Sequence, residues 1–134
     1  MESLGKQILI EFYGCDVNLL NKPAALKEML EDAARAARCT IIETLIHQFN
    51  PYGVSGVVVI SESHLAIHTW PEYGYAAVDI FTCGEDVDPW ECFYYMQEKL
   101  KAKHFTTFET KRGVMDVSQL RHKPKPTPAV RVAA

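Results

Sequence analysis

Residues 54–83 read VSGVVVISESHLAIHTWPEYGYAAVDIFTC, and this stretch decides the fold. Two runs, His64 to Trp70 and Tyr75 to Cys83, flank the turn sequence PEYG, which is typical of a β-hairpin. Ahead of them, Val54 to Ile60 is an almost continuous apolar run that predicts a buried strand. The stretch therefore predicts a hairpin that follows directly on a buried strand.

The register of the hairpin can be predicted from its turn. If Trp70 pairs with Tyr75, Cys83 lies opposite Glu62 and next to Ser63. Paired side chains of neighbouring strands are roughly 5 Å apart. The hairpin alone therefore predicts a thiol beside the polar segment SESH at residues 61–64.

Outward from this stretch, further strands are predicted at Gln7 to Tyr13, Thr40 to Phe49 and His104 to Lys111. One helix is predicted after Pro23, and a second begins at Asp88 and Pro89, which suit an N-cap and a first helical position. Their expected apolar faces are Leu26, Met29, Leu30, Ala33 and Ala37, and Trp90, Phe93, Tyr94, Gln97 and Leu100. This pattern predicts an α+β two-layer sandwich, a mainly antiparallel sheet with two helices on one face.

The other face of the sheet has an unusual predicted composition. Alternation sends Leu65, Ile67, Ala76, Val78 and Ile80 towards the helices. It sends His64, His68, Trp70, Ala77, Asp79, Phe81 and Cys83 to the opposite face. That mixture is too apolar for bulk water and too polar for a core, so this face is predicted to serve dimerisation or a binding site.

Length and composition limit the function classes. The chain has 134 residues and a net charge of −3, and it has no basic stripe, which argues against nucleic acid as a partner. No apolar run approaches the roughly 18 residues of a membrane span, and the start has no pattern of a secretory leader, so a cytoplasmic location is expected. A single domain is predicted over residues 1–118, followed by a flexible tail at 119–134 that contains KPKPTP.

Several motifs occur in order at compatible spacing. They are FYGCD at residues 12–16, PYGVSG at 51–56, the stretch from Gly56 to Gly84, and GEDVDPW at 84–90. From about Leu4 to Arg112 the chain resembles the small prokaryotic S-adenosylmethionine decarboxylases. The resemblance implies an enzyme that uses a pyruvoyl group made from Ser63, with no pyridoxal phosphate and no metal.

The resemblance also implies self-cleavage between Glu62 and Ser63. The Ser63 hydroxyl attacks the Glu62 carbonyl to give an ester, and elimination then leaves a residue that hydrolyses to pyruvoyl and ammonia. A hydroxyl directly after the scissile carbonyl is obligatory for this route. Residues 1–62 become the β chain and residues 63–134 the α chain.

Further roles follow only from the matching motif positions. Cys83 matches the proton donor of turnover and His68 the base of processing. Ser55 matches a processing helper, although a plain strand serine is an equal alternative. Phe49 and, more weakly, Trp70 match aromatic residues around adenine, although both suit interface packing as well. Glu72 matches the carboxylate on the ribose, or is a solvated turn residue.

The implied function is decarboxylation of S-adenosylmethionine to S-adenosylmethioninamine and CO2 for spermidine biosynthesis. One alternative is arginine decarboxylation, since the motifs SESHL and FTCG do not separate the two substrates. A second alternative is a non-catalytic subunit that activates a true decarboxylase. That reading expects a lost serine, histidine or cysteine, whereas Ser63, His68 and Cys83 are all present.

Strand geometry predicts that two chains share each active site. Five residues separate Ser63 from His68, which spans about 16 Å in an extended strand and puts the two side chains on opposite faces. A homodimer formed face to face brings each His68 towards the cleavage end of its partner. The implied partners are therefore S-adenosylmethionine and a second copy of the chain.

Overall fold

The computed structural model describes residues 2–116, and the tail predicted at 119–134 lies outside this range. Six strands form one sheet: β1 Glu2–Tyr13, β2 Thr40–Gln48, β3 Val54–Ser61, β4 Ser63–Trp70, β5 Tyr75–Cys83 and β6 His104–Met115. Their order is β2-β3-β4-β5-β1-β6, and every neighbouring pair is antiparallel. The predicted antiparallel sheet is confirmed.

Two long helices, α2 Pro23–Ala36 and α3 Pro89–Leu100, pack side by side on one face of the sheet. The predicted N-cap is confirmed, because the Asp88 carboxylate accepts a hydrogen bond from the backbone N–H of Trp90 at 3.0 Å. A four-residue helix, α1 Val17–Leu20, precedes α2 and was not predicted. One turn is too short to show a helical period.

The core lies between the helices and the sheet. It contains Ile8, Ile10 and Phe12 of β1, Leu65 and Ile67 of β4, and Ala76, Val78 and Ile80 of β5, under Leu26, Met29, Leu30 and Ala33 of α2. The predicted face of α3 is partly wrong. Tyr94 is 59% exposed, whereas Cys92 and Met96 are fully buried. On the helix surface, Tyr94 lies just outside the apolar stripe of α3 that faces the sheet.

The hairpin register is confirmed, with Trp70 opposite Tyr75 and Ser63 opposite Thr82. β3 and β4 are also joined tightly, since Ile60 pairs with Ser63 and only two residues lie between them. β1 begins five residues earlier than predicted because Glu2 and Ser3 pair with the end of β6, and from Gly5 onward β1 pairs with both β5 and β6. β5 and β6 are distant from β1 in the sequence, so no local pattern indicates this pairing.

Thr69 fastens α1 to the strands beneath it. Its buried hydroxyl donates a hydrogen bond to the Leu20 carbonyl at 2.7 Å and accepts one from the Val54 N–H at 2.9 Å. Both partner groups are thereby satisfied away from water. This junction fixes the ends of β3 and β4 near the turn between β4 and β5.

The sheet face opposite α2 and α3, here called the open face, carries no helix within residues 2–116. Several large apolar side chains on this face are exposed: Leu9, Leu45, Val59, Trp70 and Phe108. Over the same residues, no helix has the length and apolar character needed to cross a bilayer. The open face is therefore a broad apolar surface that also contains polar side chains.

Candidate active site

His68 and Ser55 form the most sharply defined polar contact on the open face. They are register partners on β4 and β3, and the Ser55 Oγ lies 2.7 Å from the His68 Nδ1. The structure therefore brings together the two side chains that the sequence analysis matches to the processing base and the processing helper. This hydrogen bond engages one ring nitrogen and leaves the Nε2 of the exposed His68 ring for another group.

Ser63 stands at the tight connection between β3 and β4. It is the first residue of β4, it is half-buried, and Glu62 precedes it in the connection. Its φ of 120° belongs to a region that residues other than glycine rarely adopt. Backbone strain of order 1–3 kcal/mol is typical of such positions. The backbone is thus strained beside the bond between Glu62 and Ser63.

Cys83 lies on the neighbouring strand, one position beyond the partner of Ser63. Thr82 pairs with Ser63, and on its other side Cys83 pairs with Gly5 of β1. The thiol is half-buried on the open face, as the alternation of β5 predicts. Cys83 therefore lies next to the register partner of Ser63, as the hairpin register predicts.

The candidate residues separate into two groups at opposite ends of the hairpin. The cleavage-end group is Glu62, Ser63, His64 and Cys83. The imidazole-end group is Ser55, His68, Phe49, Trp70 and Glu72. Because Ser63 and His68 are five residues apart on β4, the two groups are about 16 Å apart along the strand. A single chain does not bring Ser63 and His68 together.

Aromatic side chains surround the imidazole-end group. Phe49 follows β2, is 49% exposed, and meets the His47 ring edge-on at a centroid distance of 4.6 Å. Trp70 is 40% exposed and its ring lies 5.1 Å from that of Tyr75. These rings have the exposure that a stacking contact with a planar ligand requires.

Glu72 is exposed in the one-turn 3₁₀ helix Pro71–Tyr73, between β4 and β5. Two clefts of about 500 Å³ and 550 Å³ open on either side of it. Val17, Asn21 and Tyr52 line the first cleft, and Asp16, Lys101 and Lys103 line the second. Neither cleft includes Ser63, His68 or Cys83, so these two clefts extend the imidazole-end group only.

Sequence reasoning missed two residues beside the imidazole-end group. His47 shares the open face with Phe49, which the two-residue alternation of β2 could have indicated. The Tyr75 hydroxyl donates a hydrogen bond to the Glu11 carboxylate. Burial and this hydrogen bond raise the pKa of Tyr75 above its ordinary value, so the phenol stays protonated at neutral pH. The Glu11 contact depends on the pairing of β1 with β5, which no local pattern predicts.

The other three cysteines, Cys15, Cys39 and Cys92, are buried, as packed thiols are expected to be. Cys15 also lines the second cleft beside Glu72. Burial raises the pKa of Cys15 to about 11, and a hydrogen bond with Cys39 together with burial raises the pKa of Cys92. The pKa of Cys39 is lowered by the same hydrogen bond. Cys83 is the half-buried member of the four.

The six-stranded sandwich, with histidine and cysteine side chains on its open face and a strained serine at its edge, is that of an enzyme. The S-adenosylmethionine decarboxylase family matches residues 6–113, and the chain belongs to this family.

Similar proteins agree on this family. The chain is 55% identical over 116 residues to the S-adenosylmethionine decarboxylase proenzyme of Acetivibrio thermocellus, covering 87% of this chain and 94% of the relative. Identity to the proenzyme of Thermotoga maritima is 53% over 116 residues, covering 87% and 89%. The crystal structure of the Aquifex aeolicus adenosylmethionine decarboxylase superimposes with a TM-score of 0.83 at 34% identity, covering 90% of this chain and all of that one.

Proposed function

We propose that this chain is a self-processing, pyruvoyl-dependent decarboxylase that converts S-adenosylmethionine to S-adenosylmethioninamine and CO2 for spermidine biosynthesis. One observation carries the proposal. In a member of this family, a strained serine directly follows a carbonyl in a tight strand connection, with a thiol at the end of the adjacent strand. A hydroxyl, a carbonyl and a proton donor are the groups that this chemistry requires.

The processing step uses side chains of two copies of the chain and one water molecule. The Ser63 Oγ attacks the Glu62 carbonyl carbon, and the peptide bond gives way to an ester. His68 of a partner chain removes the α-proton of Ser63, the Cβ–O bond breaks, and Glu62 leaves as a carboxylate. The dehydroalanine that remains takes up water and loses ammonia. The strained φ of Ser63 supports this route, because a break at residue 62 releases the strain.

The position of Ser63 suits the pyruvoyl group that this residue would become. It begins β4, where Ile60 and Thr82 hold it from both sides in the sheet, so the new end stays in place after the cut. A pyruvoyl group supplies an electron sink for the loss of a carboxylate. The Cys83 Sγ holds the proton that the substrate carbon receives.

The imidazole-end group supplies the contacts for the nucleoside part of the substrate. Phe49 and Trp70 offer exposed ring faces for adenine, and Glu72 offers a carboxylate to the ribose hydroxyls. All three lie at the end of the sheet that is remote from Ser63. The nucleoside contacts therefore come from the chain that supplies His68.

The working unit is a homodimer with shared active sites, joined through the open face. Two-fold pairing of this face places the cleavage-end group of one chain against the imidazole-end group of the other. The exposed apolar side chains of the open face become the interface. The cytoplasm is the compartment proposed for this homodimer.

Intact-mass analysis tests the processing step. The purified wild type is expected to give two chains, residues 1–62 and 63–134, the second with a pyruvoyl in place of serine. Ser63→Ala is expected to stay a single chain. A wild type that is still one chain after long incubation contradicts the pyruvoyl assignment.

Carboxyl-labelled substrates test the reaction. Labelled CO2 is expected from S-adenosylmethionine and not from arginine, with Ser63→Ala as the inactive control. Release from arginine alone identifies the arginine decarboxylase. Release from neither, by a fully processed protein that stimulates a separate decarboxylase, identifies a non-catalytic activating subunit.

A further inference from the structure

The space above Gly5 is shared by two side chains of the open face. Gly5 of β1 pairs with Cys83 of β5 on one side and with Arg112 of β6 on the other. A Cβ atom at Gly5 would lie 2.9 Å from the Sγ of Cys83 and 2.9 Å from the Cε1 of Phe81. Both distances are shorter than van der Waals contact, so only glycine leaves room for the thiol and the phenyl ring together.

Phe81 itself is held from two directions. The guanidinium carbon of Arg112 lies 4.9 Å from the centroid of its ring, in cation–π geometry. The His64 ring, directly after Ser63 in the chain, meets Phe81 edge-on at 5.8 Å and 86°. Arg112 is anchored in turn, because its Nη1 donates a hydrogen bond to the Gln7 Oε1 at 3.1 Å. The ring is therefore half-buried between groups from β1, β4 and β6.

We propose that Phe81 is a positioning residue that holds the Cys83 thiol in place, and that Arg112 keeps Phe81 there. A cysteine side chain has one rotatable bond before its sulfur, so a ring fixed beside it restricts the staggered positions of the thiol. Sulfur also packs favourably at the edge of an aromatic ring. The inference rests on the proposed role of Cys83 as proton donor, because a donor acts only within hydrogen-bond reach of its acceptor.

Thiol alkylation measures this positioning without any decarboxylase activity. In uncleaved Ser63→Ala protein, the iodoacetamide modification rate of Cys83 is followed by peptide mass mapping, which separates it from Cys15, Cys39 and Cys92. Phe81→Leu is expected to raise the rate at Cys83 roughly fivefold by freeing the thiol, since reactivity follows exposure and thiolate content. Phe81→Tyr, which keeps the ring, is expected to restore the original rate.

Two further variants keep the test informative. Arg112→Met is expected to raise the Cys83 rate about twofold or more, since it removes the charge above the ring and keeps most of the chain volume. Phe105→Leu is the control, because Phe105 is a 44% exposed phenylalanine of β6 that lies on the helix side of the sheet, where its ring meets that of Phe93 at 5.0 Å. Phe105→Leu is expected to leave the Cys83 rate unchanged.

Processed enzyme gives a second readout. Phe81→Leu is expected to cleave at the normal rate, to lower kcat about tenfold, and to leave KM within about twofold, as a small misplacement of a reacting group does. An unchanged Cys83 alkylation rate in both Phe81→Leu and Arg112→Met overturns the proposal, as does an equal effect of Phe105→Leu. Because alkylation is read in the uncleaved protein, this failure is distinct from a failure of the decarboxylase assignment.

Discussion

The contact between the Ser55 hydroxyl and the His68 imidazole orients the ring. The Ser55 Oγ lies 2.7 Å from Nδ1, and Nε2 points away from this strand partner. A ring nitrogen can take a proton only through its lone pair. In the proposed mechanism Nδ1 donates its hydrogen to the Ser55 Oγ and Nε2 carries the lone pair, so Ser55 acts through His68 as an orienting group for a base.

Ser55→Ala tests this orienting role. We expect self-cleavage to slow by about one to two orders of magnitude, less than the roughly 10² to 10⁴ that loss of a general base costs. A time course of intact masses measures the rate. Thr44→Ala is the control, because Thr44 loses a hydrogen bond of similar length, 2.7 Å to Glu31, on the helix side of the sheet. A wild-type cleavage rate in Ser55→Ala removes Ser55 from processing.

Cys83 is expected to matter for turnover more than for cleavage. Cys83→Ala should still process to a substantial extent and should lose turnover by at least about 10²-fold, the lower range for a general acid. Cys83→Ser should recover part of it, because a hydroxyl also carries a proton. Labelled CO2 release per processed chain measures the effect, and Cys39→Ala serves as the control thiol. Equal turnover of wild type and Cys83→Ala excludes the thiol from the mechanism.

At the scale of single residues, the sequence indicates the neighbours of Cys83 along the hairpin and misses those across the sheet. Ser63 and Cys83 are brought together by a four-residue turn, so counting from Trp70 and Tyr75 finds them. Gly5 pairs with Cys83 although the two are more than 70 residues apart in the sequence, and Arg112 comes to this part of the sheet by pairing with Gly5 across more than 100 residues. No local pattern encodes such contacts, because strand order is decided by packing of the whole sheet.

At the scale of secondary-structure elements, too, features set by local sequence patterns are predicted, and features set by pairing with distant strands are not. The helix α2 and the strands β3, β4 and β5 carry clear periods, and their predicted positions agree with the structure to within one residue at the strand ends. β6 was predicted to end at Lys111 and continues to Met115, because it follows β1 along its full length. Exposure on both faces leaves β6 without the alternation that marks a strand.

Thr69 is the side chain that joins these elements, and Thr69→Val isolates its hydrogen bonds. The replacement keeps the shape and leaves the Leu20 carbonyl and the Val54 N–H without a partner in the core. We expect the uncleaved Ser63→Ala protein to lose about 2–6 kcal/mol of unfolding free energy, at about 1–3 kcal/mol for each of the two unsatisfied groups.

Urea denaturation measures this loss. Thr69→Ser, which keeps the hydroxyl, is expected to lose less than Thr69→Val does. Thr107→Val on the exposed strand β6 is the control and is expected to change little. A Thr69→Val protein as stable as its parent shows that the junction does not support the fold.

At the scale of the whole molecule, one sheet presents a serine and a thiol at one end and an imidazole, two aromatic rings and a carboxylate at the other. The alternation of β4 puts the Ser63 and His68 side chains on opposite sides of the strand as well as about 16 Å apart. Flexing a strand in the middle of a six-stranded sheet to join them breaks its hydrogen bonds to both neighbours. In the proposed homodimer, a second chain joins them without that cost.

Hybrid dimers test this shared site most directly. Tagged Ser63→Ala chains and untagged His68→Ala chains are co-expressed, and hybrids are isolated through the tag. Only one site in a hybrid holds both Ser63 and His68, and it takes Ser63 from the His68→Ala chain. We predict that intact-mass analysis finds the His68→Ala chain cleaved in hybrids and uncut in its own homodimers. An uncut His68→Ala chain in verified hybrids, beside a wild type that processes as a monomer, contradicts the shared site.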